Sequence, residues 1–312
     1  MQVYDYLFHS PAAPLYWEAI WAAIPIAVVC SLLSVLVVLK RLAFIGQGVS
    51  HAAFGGVGLA TLLGLTGIAH FSVIAAFCVV AALGIAWTSD RKAVRTDTTI
   101  GIVLVASMAI GILLMQLWVS LRDQPWYVET FGRTTTSAGW ESILFGSILG
   151  VGKDGAWLAT IFGTFVLLIL WWRRHNLLFY AFDETAAEAF GVRTTRCRYV
   201  LMLLLAITVV ISIRLSGLIL ATALLILPGA VALRLSSRFV VVLVLSIISG
   251  LTGVLGGLLL SLQFNLPPGA CMVMLLVILF VLTWPLGILN RKRVSLSSTT
   301  HTVRNHGVNN ES

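Results

Sequence analysis

Long apolar stretches broken by short polar ones run through most of this chain, and windowed hydropathy predicts membrane spans near residues 17–39, 49–66, 68–87, 98–118, 156–172, 199–213, 217–235, 239–261 and 268–289. Each approaches the ~20 residues that a helix needs to cross a hydrocarbon core of roughly 30 Å. The pattern predicts an all-α, polytopic helical membrane protein of about nine transmembrane helices, or eight if one of the weaker stretches, 68–87 or 199–213, does not cross. Residues 1–290 read as a single transmembrane domain and 291–312 as a polar tail, expected to be disordered. The first stretch is expected to be a span and not a cleavable leader, because Asp5 and Glu18 lie ahead of its apolar run and no basic segment precedes it.

Against this apolar background the second stretch is unusual. Gln47 and His51 are four residues apart, so on a helix they share a face. Phe54, Gly55 and Gly58 continue that face, which predicts open space beside the imidazole where side chains are missing. A neighbouring stripe of Gly48, Ala52 and Gly56 repeats small residues every four positions, the pattern that lets another helix approach closely. The polar pair has two readings: His51 bonds a carbonyl of the next helix and holds the bundle together, or the pair lines a polar path. Imidazole suits zinc, manganese, iron, copper and nickel, and an amide oxygen is a weaker, neutral co-ligand. As a metal contact the pair predicts a loose site, which transit requires.

Composition removes the soluble alternatives. With 59% hydrophobic residues, 10% charged residues and a mean hydropathy of +1.00, the chain has no charged coat and no room for a soluble catalytic domain. Charge then supplies orientation. With the N-terminus outside and the C-terminus inside, the inner segments hold 16 of the 20 basic residues and the outer ones keep Arg122, Arg133, Lys153 and Arg214. The net charge of +8 is thus a topology signal, and its scatter over separate short loops excludes a nucleic-acid patch. Cys30, Cys78, Cys197 and Cys271 form no close pair in sequence and read as small buried hydrophobes, while His301 and His306 belong to the polar tail.

The run Lys40-Arg41-Leu42-Ala43-Phe44-Ile45-Gly46-Gln47-Gly48-Val49-Ser50-His51-Ala52 resembles the signature of bacterial metal-cation ABC importer permeases, the zinc, manganese and iron family. That family carries a basic pair, an apolar run and Gly-Asp-x-x-Ser-His-Ala at this place. Further blocks agree in order: Asp97-Thr98-Thr99-Ile100-Gly101-Ile102-Val103, Leu144-Phe145-Gly146-Ser147-Ile148-Leu149, and Val209 to Ser212 through Ala223 to Ala230. The resemblance covers roughly residues 17 to 290. It implies a metal contact at His51 and, at the position of the family's Asp, at Gln47. There this chain departs from the pattern, because an amide offers a dipole where a carboxylate offers a unit charge.

No Gly-x-x-x-x-Gly-Lys-Ser/Thr loop is present, so a motor must be another subunit. The segment Phe182-Asp183-Glu184-Thr185-Ala186-Ala187-Glu188-Ala189-Phe190-Gly191 predicts a short amphipathic helix, with Thr185 and Glu188 as a capping box, acidic residues at its start and Gly191 at its stop. The resemblance implies that Phe182, Asp183, Glu184, Ala186, Ala187, Glu188 and Gly191 form a coupling helix seated on a P-loop ATPase subunit; an interfacial helix on lipid headgroups is the competing reading. Pro228 is expected to interrupt or end a helix near the inner side, and Pro267-Pro268-Gly269 to mark the loop before the last span. Arg214 either snorkels outward or bonds carbonyls at broken helix ends, and Trp118, Trp126, Trp140 and Trp157 bracket an outer segment, 119–155, suited to a solute-binding protein.

These readings converge on a multi-pass permease subunit in the bacterial cytoplasmic (inner) membrane, with no catalytic site and no permanently bound cofactor. The resemblance implies a divalent metal cation as substrate. Its implied partners are an ATPase subunit, an extracytoplasmic solute-binding protein, a second permease copy or relative in a homo- or heterodimer, and membrane lipid. A secondary ion-coupled transporter is the alternative, and it calls for titratable carboxylates in span centres, where this sequence has none: Glu18, Asp90, Asp97 and Asp154 all stand near span ends. An intramembrane enzyme would need a richer set of polar side chains than His51 and the boundary residue His70 provide.

Overall fold

The computed structural model describes residues 13–90, 96–125, 127–128 and 152–285. The helices are α1 (Ala13–Leu39), α2 (Ala43–Leu62), α3 (Gly67–Asp90), α4 (Thr96–Leu121), α5 (Gly152–Phe182), α6 (Glu184–Ala189), α7 (Thr194–Leu224), α8 (Leu227–Leu235), α9 (Phe239–Phe264) and α10 (Pro268–Pro285). The protein is a polytopic helical bundle, as hydropathy predicts. Eight helical segments among the described residues are long and apolar enough to cross a membrane, and α2 is not one of them. Its glycines and the polar Gln47, Ser50 and His51 dilute its apolarity, so a count of nine holds only if α2 is included. The polar tail, Trp126, Trp140, the block 144–149 and the side chain of Arg214 lie outside the described residues.

Two boundaries differ from the hydropathy reading, each for a physical reason. The second helix begins at Ala43, not near 49, because the basic pair and Gln47 depress hydropathy without opposing helix. A tight end to α1 makes this early start feasible: Arg41 adopts the left-handed conformation (φ 57°), and the Leu42 N–H bonds back to the Val37 carbonyl at 2.9 Å. Helix α5 continues through Arg173, Arg174, His175 and Asn176 to Phe182, since charge ends an apolar run but not a helix. The predicted division between spans 199–213 and 217–235 is kept, and the second of them is cut again. Gly217, at φ 81° and ψ 169°, breaks α7 internally, and residues 225–226 separate it from α8. Pro228 falls in the first turn of α8, where its missing N–H has no helical partner to lose.

Small residues draw the helices together, as expected where lipid provides no hydrophobic drive between them. Helix α1 is the most buried span and packs on α5, α7, α8 and α9. Its Ser34 backbone lies where a Cβ on Gly229 of α8 would sit, at 2.6 Å, and its Ser31 hydroxyl fills the place of a Cβ on Gly250 of α9. The Ser246 hydroxyl of α9 donates to the Ser31 carbonyl at 2.7 Å, so the interface is polar where it is closest. Helix α2 packs on α3, α4 and α7, and α7 joins the two groups by touching α1, α2, α3 and α5. Cys30, Cys78 and Cys197 are free and buried within this packing, and Cys271 is half-buried.

Helices α2 and α4 also meet backbone to backbone: a Cβ on Gly58 would stand 2.7 Å from the Gly111 carbonyl oxygen. Gly58→Val should therefore lower the thermal unfolding midpoint in detergent by the equivalent of about 1–3 kcal/mol of overpacking. Gly84→Ala, with nothing within 4 Å of the new methyl, should leave it unchanged in the same measurement.

Candidate functional site

Helix α2 has three sides in use and one left over. Gly48 abuts Ile100 of α4, a Cβ on Gly55 would stand 2.6 Å from the Phe77 ring of α3, and one on Gly56 would stand 2.8 Å from the Ile74 backbone. Gly46 faces Leu225, at the break between α7 and α8, where a Cβ would stand 3.2 Å from the leucine side chain. The small-residue stripe of Gly48, Ala52 and Gly56 packs as expected. Gly55 and Gly58 correct the expectation: the room they make is filled by Phe77 and the Gly111 backbone, so it does not open beside the imidazole. A missing Cβ invites a neighbour, and periodicity cannot say whether that neighbour is a helix or a path.

What remains uncovered is a stripe of Phe44, Gln47, His51 and Phe54 at helical spacing. Phe44 is 61% exposed, Gln47 is exposed, and His51 and Phe54 are half-buried. The His51 ring stacks with Phe54 at a centroid separation of 6.0 Å and an interplanar angle of 16°. Its Nδ1 is enclosed and has no hydrogen-bond partner among the described residues, so a bond to a carbonyl of the next helix is not what holds this histidine. Ser50, wholly buried beside it, also has an unpartnered hydroxyl. Among the described residues no group of three or more His, Cys, Asp or Glu gathers to hold a metal ion. An imidazole and an amide on one helix are fewer ligands than the roughly four to six that a transition-metal dication takes.

The second candidate, α6, forms at one end of the bundle, a single residue after α5. Its cap differs from the predicted capping box. Asp183, extended at φ −149° and ψ 109°, is the N-cap and accepts from the Ala186 N–H at 3.0 Å. A carboxylate two residues ahead of Thr185 sits nearer the positive end of the helix and wins that role. Glu188 instead accepts from the Thr194 hydroxyl at 2.5 Å, which ties the end of α6 to the start of α7. Gly191 stops the turn in the left-handed conformation at φ 81°, with its N–H on the Glu188 carbonyl. Ala187 is wholly buried, so it packs α6 to the body. Phe182 and Phe190, 61% and 78% exposed, are the large apolar groups left outside.

Beneath α6 lies an ionic cluster that no motif announces. Lys40 at the end of α1 donates to Glu184 at 2.8 Å and sits 3.7 Å over the Tyr180 ring of α5. Arg198 of α7 binds the other Glu184 oxygen, donates to Asp90 at the end of α3 at 2.9 Å, and meets the Tyr180 hydroxyl at 3.4 Å. The Lys40 and Arg198 side chains are only 13% and 14% exposed, so these are not solvent-screened surface pairs. Burial alone would raise the Glu184 carboxyl, but hydrogen bonds and charge from Lys40 and Arg198 outweigh it and hold Glu184 below its ordinary value of 4.5. The sequence signal for Asp90 and Arg198 is only that each is a charge at the end of an apolar stretch, and for Lys40 that it opens the basic pair of the Lys40–Ala52 run. It carries no sign that they meet.

Comparison with known proteins gives a consistent picture. The family model described as the ABC 3 transport family matches residues 13–286. The chain is 32% identical over 268 residues to the manganese transport system membrane protein MntC of Halalkalibacterium halodurans, covering 86% of this chain and 85% of that one. It is 33% identical over 232 residues to the chelated iron transport system membrane protein YfeD of Yersinia pestis, covering 73% and 70%. The fold superposes on PsaBC from Streptococcus pneumoniae, solved in complex with Fab, with a TM-score of 0.73, 27% identity, and coverage of 90% of this chain and 94% of that one.

Glu184→Gln should destabilise the bundle by about 1–3 kcal/mol, the scale for a lost charged hydrogen-bond partner. Because the folded carboxyl titrates below the unfolded one, this contribution is complete above the unfolded value of 4.5 and is lost as pH falls through the lower folded value. Melting points of wild type and variant, measured from pH 7 downward, should differ near neutrality and converge below 4.5.

Proposed function

The chain belongs to the ABC 3 transport family, the metal-cation importer permeases that its sequence blocks resemble, and from that premise we propose that it is the membrane subunit of an ATP-driven importer of manganese or iron(II). The observation that carries this reading is the uncovered stripe of α2. A half-buried imidazole with an unpartnered nitrogen and an exposed amide one turn away line the one side of α2 that α3, α4 and α7 leave open. Relatives named for manganese and chelated iron transport favour those metals over zinc.

A second permease copy or relative completes the path in this reading. One chain offers too few ligands for a dication, and two α2 stripes facing each other double the set. The ligands are soft enough to release: neutral Gln47 lacks the unit charge of a carboxylate, so the cation is held by His51 and by dipoles, which favours transit over storage.

Energy enters at α6 in this proposal. Phe182 and Phe190 stand outward from a helix whose inner side is fastened by Ala187, Glu184 and Glu188, giving a rigid apolar knob suited to a groove on an ATPase subunit. The exposed Asp183 and the half-buried Glu184 disfavour the competing seat on anionic headgroups. The end bearing α6 is then cytoplasmic, which agrees with the basic-residue bias and puts the N-terminus outside. A solute-binding protein delivers the metal to the other side.

His51→Ala should lower uptake of radioactive manganese by about tenfold or more, the scale on which even outer partners of a metal ligand matter. Membrane insertion should stay normal, and wild-type uptake in this variant would make His51 a packing residue. Gln47→Asp should lower the manganese concentration needed for half-maximal uptake; no change for either manganese or iron would remove Gln47 from the path. Phe190→Glu should abolish co-purification with a co-expressed P-loop ATPase subunit of this importer family, and undiminished recovery would remove α6 from the docking surface.

A further inference from the structure

On the outer surface of the bundle, α1, α5 and the start of α9 enclose a cleft of about 390 Å³. Its walls are apolar, with Leu36, Leu170, Phe239 and Leu243 among them, and its one charged lining residue is Arg174, beside Trp171. The cleft lies toward the α6 end: Leu36 is four residues from Lys40, and Phe239 meets Phe182 at a ring separation of 5.7 Å. None of the transport machinery described above uses it.

The aromatic residues fix its depth. Trp171 and Trp172 are 67% and 77% exposed inside a membrane-spanning helix, the placement of an aromatic belt at headgroup level. The Arg174 guanidinium rests 5.5 Å over the Trp171 ring and donates to His175 at 3.3 Å. No carboxylate lies within 4 Å of it among the described residues. Arg173 stands next to it in α5, over Trp172. A guanidinium with no carboxylate partner among the described residues, beside an apolar slot at headgroup depth, complements one anion attached to hydrocarbon.

Charge decides between a lipid and an apolar segment of another protein. An apolar helix face leaves the Arg174 guanidinium without a counter-charge, whereas a phospholipid carries an anion at the end of its hydrocarbon. We propose that this cleft is a binding site for an anionic phospholipid, with an acyl chain between α1, α5 and α9 and its phosphate on Arg174. The site requires only that these helices cross a membrane, so it stands or falls separately from the metal and the ATPase.

The test is native mass spectrometry of the full chain released from detergent after equilibration with equal amounts of phosphatidylglycerol and phosphatidylcholine. Wild type should retain phosphatidylglycerol preferentially, and Arg174→Gln should weaken that retention about fivefold, the worth of one basic residue near an anionic surface, while phosphatidylcholine is unaffected. Phosphatidylglycerol with brominated acyl chains should quench tryptophan fluorescence, and the quenching should fall in Trp171→Phe, an exposed substitution that leaves the fold intact. Water-soluble glycerol phosphate should not displace the lipid. Equal retention of the two lipids, unchanged retention in Arg174→Gln, quenching indifferent to Trp171, or displacement by glycerol phosphate would each overturn the site. Loss of metal uptake or of ATPase docking in other variants would leave these readings untouched.

Discussion

A helix has one circumference to divide among its neighbours, and in α2 the division is made by glycines. Gly58 against the Gly111 carbonyl and Gly56 against the Ile74 backbone are contacts in which a methyl group has no room, so the rotation of α2 about its axis is set to within a side chain. Once that rotation is set, Gln47 and His51 have only one direction left to face. The polar pair is therefore placed by residues that carry no chemistry. In lipid, where apolar surface gains nothing by leaving hydrocarbon for another helix, such close contact supplies dispersion energy and specificity together.

The ionic cluster does at the bundle's end what the glycines do in its middle. Glu184 is shared by Lys40 and Arg198, and Arg198 in turn reaches Asp90, so the short helix α6 is fastened to the ends of α1 and α3 and the start of α7. A six-residue helix has little stability of its own. Its position comes from Asp183 capping it, Gly191 ending it and buried charges holding it down. A push on α6 is thus delivered to three spans at once, which is the mechanical requirement of the docking role proposed for it. Glu184 is the shared member: its loss leaves the largely buried Lys40 ammonium without a carboxylate and Arg198 with Asp90 alone.

Much of the fold was legible because the bilayer imposes a length and a composition on any spanning helix. The apolar runs were found within a few residues except where charge or glycine misled hydropathy: Ala43–Gly48 was hidden by its polar neighbours, and the last ten residues of α5 by Arg173 and Arg174. The break at Gly217 falls at the predicted boundary between 213 and 217, and the one at 225–226 comes just before Pro228, where an interruption is expected. Of the candidate site, the helical adjacency of Gln47 and His51 was present in their spacing. The fate of Gly55 and Gly58 was not, because a gap on one helix has meaning only when the neighbour that fills it is known.

Pattern and composition alone determined that this chain is a helical membrane protein, which family's blocks it carries, and that an amide stands where that family has a carboxylate. Each of these is a property of residues near one another in sequence, or of their average. Tertiary structure decided which side of α2 stays open, which residue caps α6, and that Lys40, Asp90, Glu184 and Arg198 form one cluster. Those depend on pairs separated by up to 158 positions, as Lys40 and Arg198 are, and no local period or propensity links two charges that only the packing of four helices brings into reach.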